Sequence, residues 1–142
     1  MNPIRLTLLC FISVNFLCSQ LSYAQSPAQQ EPFQKVDSAV KSGDYREAIS
    51  ILKYLKSEFT KKNDLSTLIS TELKLSENYR LLNYLDSATT AANRVLALSK
   101  KIDNTEKREL YEARALTSIG IIKNYVDDFE QSIDCWVNTI KI

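Results

Sequence analysis

From Phe33 onward apolar residues return at intervals of three and four, the spacing that gathers side chains on one face of an α-helix. Phe33, Val36 and Val40 form a first short stripe, and Ala48, Ile49, Leu52, Leu55 and Phe59 a second. Leu73, Leu75, Tyr79 and Leu82 follow Asp64, which can cap the helix they lie on, and Ala88, Ala92, Val95, Leu96 and Leu98 make a fourth stripe. Asp103 and Glu106 read as a capping-box variant opening a helix with Leu110, Leu116, Ile119 and Ile122. Phe129, Ile133, Trp136 and Ile140 complete the series. The pattern predicts an all-α chain of six helices in three antiparallel pairs.

Composition agrees. All three prolines (Pro3, Pro27, Pro32) precede residue 33 and only two glycines occur, which excludes a turn-dense β architecture. Three segments superimpose: Gly43 to Ile49, Asn83 to Thr89 and Asp127 to Ile133. Each opens on Gly, Asn or Asp, the residues that tolerate the left-handed backbone of a tight bend after a helix. Two positions on stands an apolar residue (Tyr45, Leu85, Phe129), and five positions on a small one (Ala48, Ala88, Ser132) that lets two helices approach closely.

Helix, left-handed bend, aromatic, small residue and helix in tandem resemble the tetratricopeptide repeat. The third unit is most similar, with Leu116, Ile119 and Gly120 ahead of Asp127-Asp128-Phe129; Gly120 stands where the family has glycine in its first helix. Val36 and Ser76 occupy that place in the other units. Tyr79 matches the family's first-helix tyrosine, which Lys123 replaces in unit three. The small residues recur at intervals of 40 and 44 positions against the usual 34, as in long-helix bacterial variants of the family. The resemblance implies an α-α superhelix, or solenoid, with repeats at about 29–62, 64–102 and 104–142. It also implies a groove lined by the first helix of each pair, presenting Asp37, Lys41, Glu77, Arg80, Arg114, Thr117 and Asn124. The family's clamp for C-terminal carboxylates is not reproduced: Phe33, Asp37, Leu73 and Glu77 occupy the corresponding sites of the first two units.

The first 24 residues read as a signal peptide. Arg5 precedes an apolar run, Leu6 to Leu17, too short for a membrane span, and Ser22-Tyr23-Ala24 places a cleavage site before Gln25. A lipoprotein signal using Cys10 or Cys18 and an uncleaved anchor are the competing readings; neither cysteine follows a small residue. Residues 25–31 read as a polar, disordered lead-in. The expected location is the periplasm or the exterior. The mature chain keeps Cys135 alone, which forbids an intrachain disulfide. Because Arg5 is the only charge removed, 17 basic and 17 acidic residues remain, without the cationic surplus that nucleic-acid binding requires.

The chain contains no histidine, the commonest general base and metal ligand. Cys135 thus has no imidazole to activate it and reads as a small hydrophobe. Asp127 and Asp128 lie in no calcium-loop pattern and read as turn and cap residues. No phosphate loop, nucleophile elbow or Cys-x-x-Cys is present, so neither enzymatic activity, metal nor cofactor is expected. Gly120, costly within a helix by about 1 kcal/mol relative to alanine, reads as a close-packing site.

The last helix runs to Thr139-Ile140-Lys141-Ile142 without the polar cap that closes a repeat stack. Ile133, Trp136 and Ile140 would lack a partner, each forfeiting roughly 1.5–3 kcal/mol. The expected cover is a protein partner, a second copy or further repeats of a longer reading frame. Two functions follow: an exported protein-interaction scaffold, or the sensor segment of a larger membrane-bound regulator with a kinase or DNA-binding output.

Overall fold

The computed structural model describes residues 31–142. The segment expected to be a signal peptide, with Cys10 and Cys18, and residues 25–30 lie outside the described residues. Glu31, read from the sequence as lead-in, instead opens a single 3-10 turn, Glu31–Phe33, which Phe33 anchors by burying its ring.

The described fold is all-helical, without strands: α1 (Gln34–Lys41), α2 (Tyr45–Lys61), α3 (Leu65–Leu81), α4 (Leu85–Ser99), α5 (Thr105–Tyr125) and α6 (Phe129–Ile140). Each helix packs on the next in chain order, and α3 also meets α5. Side-chain contacts link successive helices, and three of them (Lys56 with Glu72, Ser76 with Ala88, Ser132 with Gly120) join positions at similar distances either side of a bend, which makes those helices antiparallel. Lys56 pairs with Glu72 across the α2–α3 bend, and Ser76 bonds the Ala88 carbonyl across α3–α4. Ser99 bonds Glu112 across α4–α5, and Ser132 bonds the Gly120 carbonyl across α5–α6.

The three expected bends superimpose in detail. Gly43, Asn83 and Asp127 take φ values of 79°, 60° and 57°. In each bend the left-handed residue's N–H donates to the carbonyl three residues back (Val40, Arg80, Asn124), and the next N–H reaches five residues back (Ala39, Tyr79, Lys123). These two bonds satisfy carbonyls that the helix end would leave open. Asn63 makes a fourth bend of the same kind at φ 52°, between α2 and α3. Asp44, Asp64 and Asp128 cap the helices that follow by accepting the N–H of Glu47, Thr67 and Gln131. Tyr84 makes no side-chain cap at the same place in the second pair.

One cap differs from expectation. Helix α5 is opened by Asn104, not by the Asp103–Glu106 pair: Asn104 holds an extended backbone and its side chain accepts the Lys107 N–H at 2.8 Å. The helix therefore starts one residue later, with Asp103 in the preceding bend.

Apolar burial forms two clusters. Phe33, Val36, Ala39, Ala48, Ile49 and Leu52 meet Leu75 and Ala91 in the first; Ile69, Leu73, Val95, Tyr111 and Ala115 form the second. Helix α6 contributes to neither. Its only buried residue is Ser132, whereas Phe129, Ile133, Trp136, Val137 and Ile140 are 41–84% exposed.

Candidate functional site

The residues twelve positions apart across each hairpin show how the paired helices are held. Val36 faces the same junction as Ala48, Ser76 as Ala88, and Gly120 as Ser132, and all six are buried. In the second hairpin the hydroxyl sits on the first helix: Ser76 Oγ donates to the Ala88 carbonyl at 2.9 Å. In the third it sits on the second helix, where Ser132 Oγ donates to the Gly120 carbonyl, also at 2.9 Å. A helix carbonyl thus gains a second partner at the same point of two hairpins, donated from opposite sides. Gly120 has its own reason to be small. A Cβ there would lie 2.5 Å from Nε1 and 2.9 Å from Cδ1 of Trp136, whose indole rests against the α5 backbone.

The predicted groove residues lie on α1, α3 and α5, all solvent-accessible. The structure ties two of them into contacts between helices. Asp37 on α1 accepts from Lys74 Nζ on α3 at 2.8 Å. Arg80 on α3 donates to the Tyr125 hydroxyl at the end of α5 at 3.3 Å and stacks 5.6 Å from its ring centroid. These contacts join the three first helices into one polar surface. Lys41, Glu77, Arg114, Thr117 and Asn124 are exposed without being drawn into that linkage. The Thr117 hydroxyl turns back to the Ala113 carbonyl of its own helix, as mid-helix threonines do.

Sequence reasoning did not single out the most buried charge. Glu72 on α3 is 1% exposed. Its Oε1 pairs with Lys56 Nζ on α2 and lies 3.8 Å from Arg94 on α4, while Oε2 has no hydrogen-bond partner among the described residues. The three side chains border an open cleft of about 340 Å³ with Lys53, Tyr79 and Asp86. This cleft and the exposed Glu77 lie on opposite sides of α3, since Leu75, which lines the cleft, is two positions or about 200° from Glu77. Glutamate inside a helix ordinarily marks a wet face, and only the neighbours on α2 and α4 reveal the exception.

The remaining polar residues buried on α3 mostly satisfy themselves locally. Ser70 and Thr71 donate to the Ser66 and Thr67 carbonyls, and Asn78 Nδ2 donates to the Lys74 carbonyl. Cys135 is half-buried beside Gly120. Burial pushes its thiol pKa up, with Lys123 opposing and Asp134 and Asp128 reinforcing the rise, so thiolate is disfavoured at neutral pH. Among the described residues no helix is long and apolar enough to cross a membrane, and no three of Cys, Asp and Glu gather as a metal site would need. Compared with known protein families, with curated proteins and with solved structures, the chain matches none.

Proposed function

We propose that this protein is a non-catalytic protein-interaction scaffold, a stack of three tetratricopeptide-like hairpins exported from the cytoplasm. The polar face of α1, α3 and α5 receives a protein or peptide. The observation that carries the reading is the equivalence of the bends at Gly43, Asn83 and Asp127, each the corner of a helical hairpin, with a hydroxyl hydrogen bond between positions twelve apart in the second and third. Such stacking lays the first helices side by side, and the Asp37–Lys74 and Arg80–Tyr125 contacts between them support it. The export reading rests on the apolar run behind Arg5 and the small residues before Gln25. The non-catalytic reading rests on the absence of histidine from the sequence and on a Cys135 thiol that burial makes less acidic.

The groove mixes signs, with Asp37, Glu77, Lys41, Arg80 and Arg114, which suits a peptide carrying both charges better than a polyanion. Selecting peptides from a displayed library on the full chain tests this. Selected peptides should lose affinity at least about tenfold on Glu77→Lys or Arg114→Glu and be indifferent to Tyr54→Ala, an exposed site on α2. Peptides that ignore both groove changes would contradict it.

A further inference from the structure

The stripe on α6 is 41–84% exposed, although the Trp136 indole also rests on α5, and its spacing suits a second helix. Phe129, Ile133, Trp136 and Ile140 follow one another at four, three and four positions, the seam along which one helix packs on another. The first hairpin shows such a seam filled. Ile49 and Leu52 stand in α2 where Ile133 and Trp136 stand in α6, counted from the small residues Ala48 and Ser132, and both are buried under 8% exposure. Helix α3 follows α2 antiparallel and packs on it; no described element does the same for α6.

Two features favour a second copy in one particular arrangement. Head-to-tail stacking of copies would set α1 of one on α6 of the next, yet the outward residues of α1 are Gln34, Lys35, Asp37, Ser38 and Lys41, with nothing apolar to offer. The stripe of α6, by contrast, matches itself. A four-three-four spacing reads the same in reverse, so an antiparallel second copy sets Phe129 opposite Ile140 of the partner subunit and Ile133 opposite the partner's Trp136. Glu130 in the first turn of α6 and Lys141, the residue that caps its C-terminus, flank the stripe on the same side. Like flanks meet in an antiparallel pair, which brings each Lys141 to the partner's Glu130.

We propose that α6 is a homodimerisation helix, pairing antiparallel with α6 of a second copy about a two-fold axis near the middle of the helix. Such an interface is closed: it uses the same patch twice and stops at two. The proposal uses the equivalence of the hairpins but not peptide binding in the groove, which a monomeric variant can still be asked to perform.

Sedimentation equilibrium of the full chain tests it. The expected result is a reversible monomer–dimer equilibrium whose dissociation constant rises about tenfold or more in Ile133→Asp and in Ile140→Asp, with helical circular dichroism retained because both side chains are exposed. Lys141→Glu should weaken the dimer and Glu130→Lys in the same chain restore it, while Tyr54→Asp on α2 changes nothing. A monomer at every concentration, a ladder of higher species, or a dimer indifferent to Ile140→Asp would overturn the proposal. So would a monomeric wild type whose α6 binds an unrelated amphipathic helix. Loss of dimer with groove peptides still bound would leave the scaffold reading standing; the reverse would leave the dimer.

Discussion

Helices α3 and α6 occupy opposite extremes of the same fold. Helix α3 buries nine of its residues, among them Thr67, Ser70, Thr71, Glu72, Ser76 and Asn78, whereas α6 buries Ser132 alone. Yet α6 is the more apolar in sequence, with Phe129, Ile133, Trp136, Val137 and Ile140 in twelve residues. Burial here follows position in the fold before composition. Among the described helices α3 packs against α2, α4 and α5, whereas α6 packs chiefly against α5. A helix enclosed from several sides can keep polar residues because its own carbonyls and its neighbours satisfy them. Helix α6, which packs on α5 among the described helices, leaves its apolar residues exposed.

The most demanding test of that contrast is the buried ion pair. Lys56→Met would leave Glu72 in the interior with only Arg94 at 3.8 Å. It should destabilise the protein by on the order of 3 kcal/mol in chemical denaturation. The double variant Lys56→Met with Glu72→Met, carrying no stranded charge, should recover most of that loss. An additive double variant would show that the carboxylate is not held as described.

Next in size is overpacking at the hairpin junction. Ala88 is fully buried and its carbonyl accepts Ser76. Ala88→Leu should cost about 1–3 kcal/mol and lower the melting temperature by several degrees. A neutral result would mean the junction is loose. The two hydroxyl bridges permit a finer comparison. Ser76→Ala and Ser132→Ala each remove one buried hydrogen bond and should each cost about 1 kcal/mol. Ser132→Ala should in addition shift the emission of Trp136, the only tryptophan of the chain, because α6 would settle differently over Gly120. An unchanged spectrum would place the indole away from that glycine. Smallest of all, Glu77→Ala on the exposed face of α3 should stay within about 0.5 kcal/mol of the parent. A larger loss would mean that the groove face is structural.

Much of this architecture is legible in the residues because bends and seams are local. A left-handed corner accepts few residue types, so Gly43, Asn83 and Asp127 announce their conformations, and stripes such as Ala88, Ala92 and Val95 find their burial by period alone. Asn63 obeys the same rule and has apolar Leu65 two positions on, but Leu68 fills the place of the small residue, and so it stands outside the repeat pattern. Asn104 displaced Asp103 as cap because either side chain can accept a backbone N–H, and the choice rests on the chain path out of α4. Glu72 was illegible for a stronger reason. Its partners Lys56 and Arg94 lie sixteen and twenty-two positions away on different helices, a distance only the packing closes. The residues that the resemblance assigns to a groove were legible only as solvent-accessible positions, and the ties of Asp37 and Arg80 were not, since Lys74 and Tyr125 read as ordinary surface until α1, α3 and α5 are laid together.

Amide hydrogen exchange, followed helix by helix in dilute protein where copies do not associate, tests most directly whether enclosure by neighbours sets the order of stability. Opening should be rarest in α3 and α4 and most frequent in α6, although α6 is the richer in apolar residues. Exchange in α6 as slow as in α3 under those conditions would contradict the account.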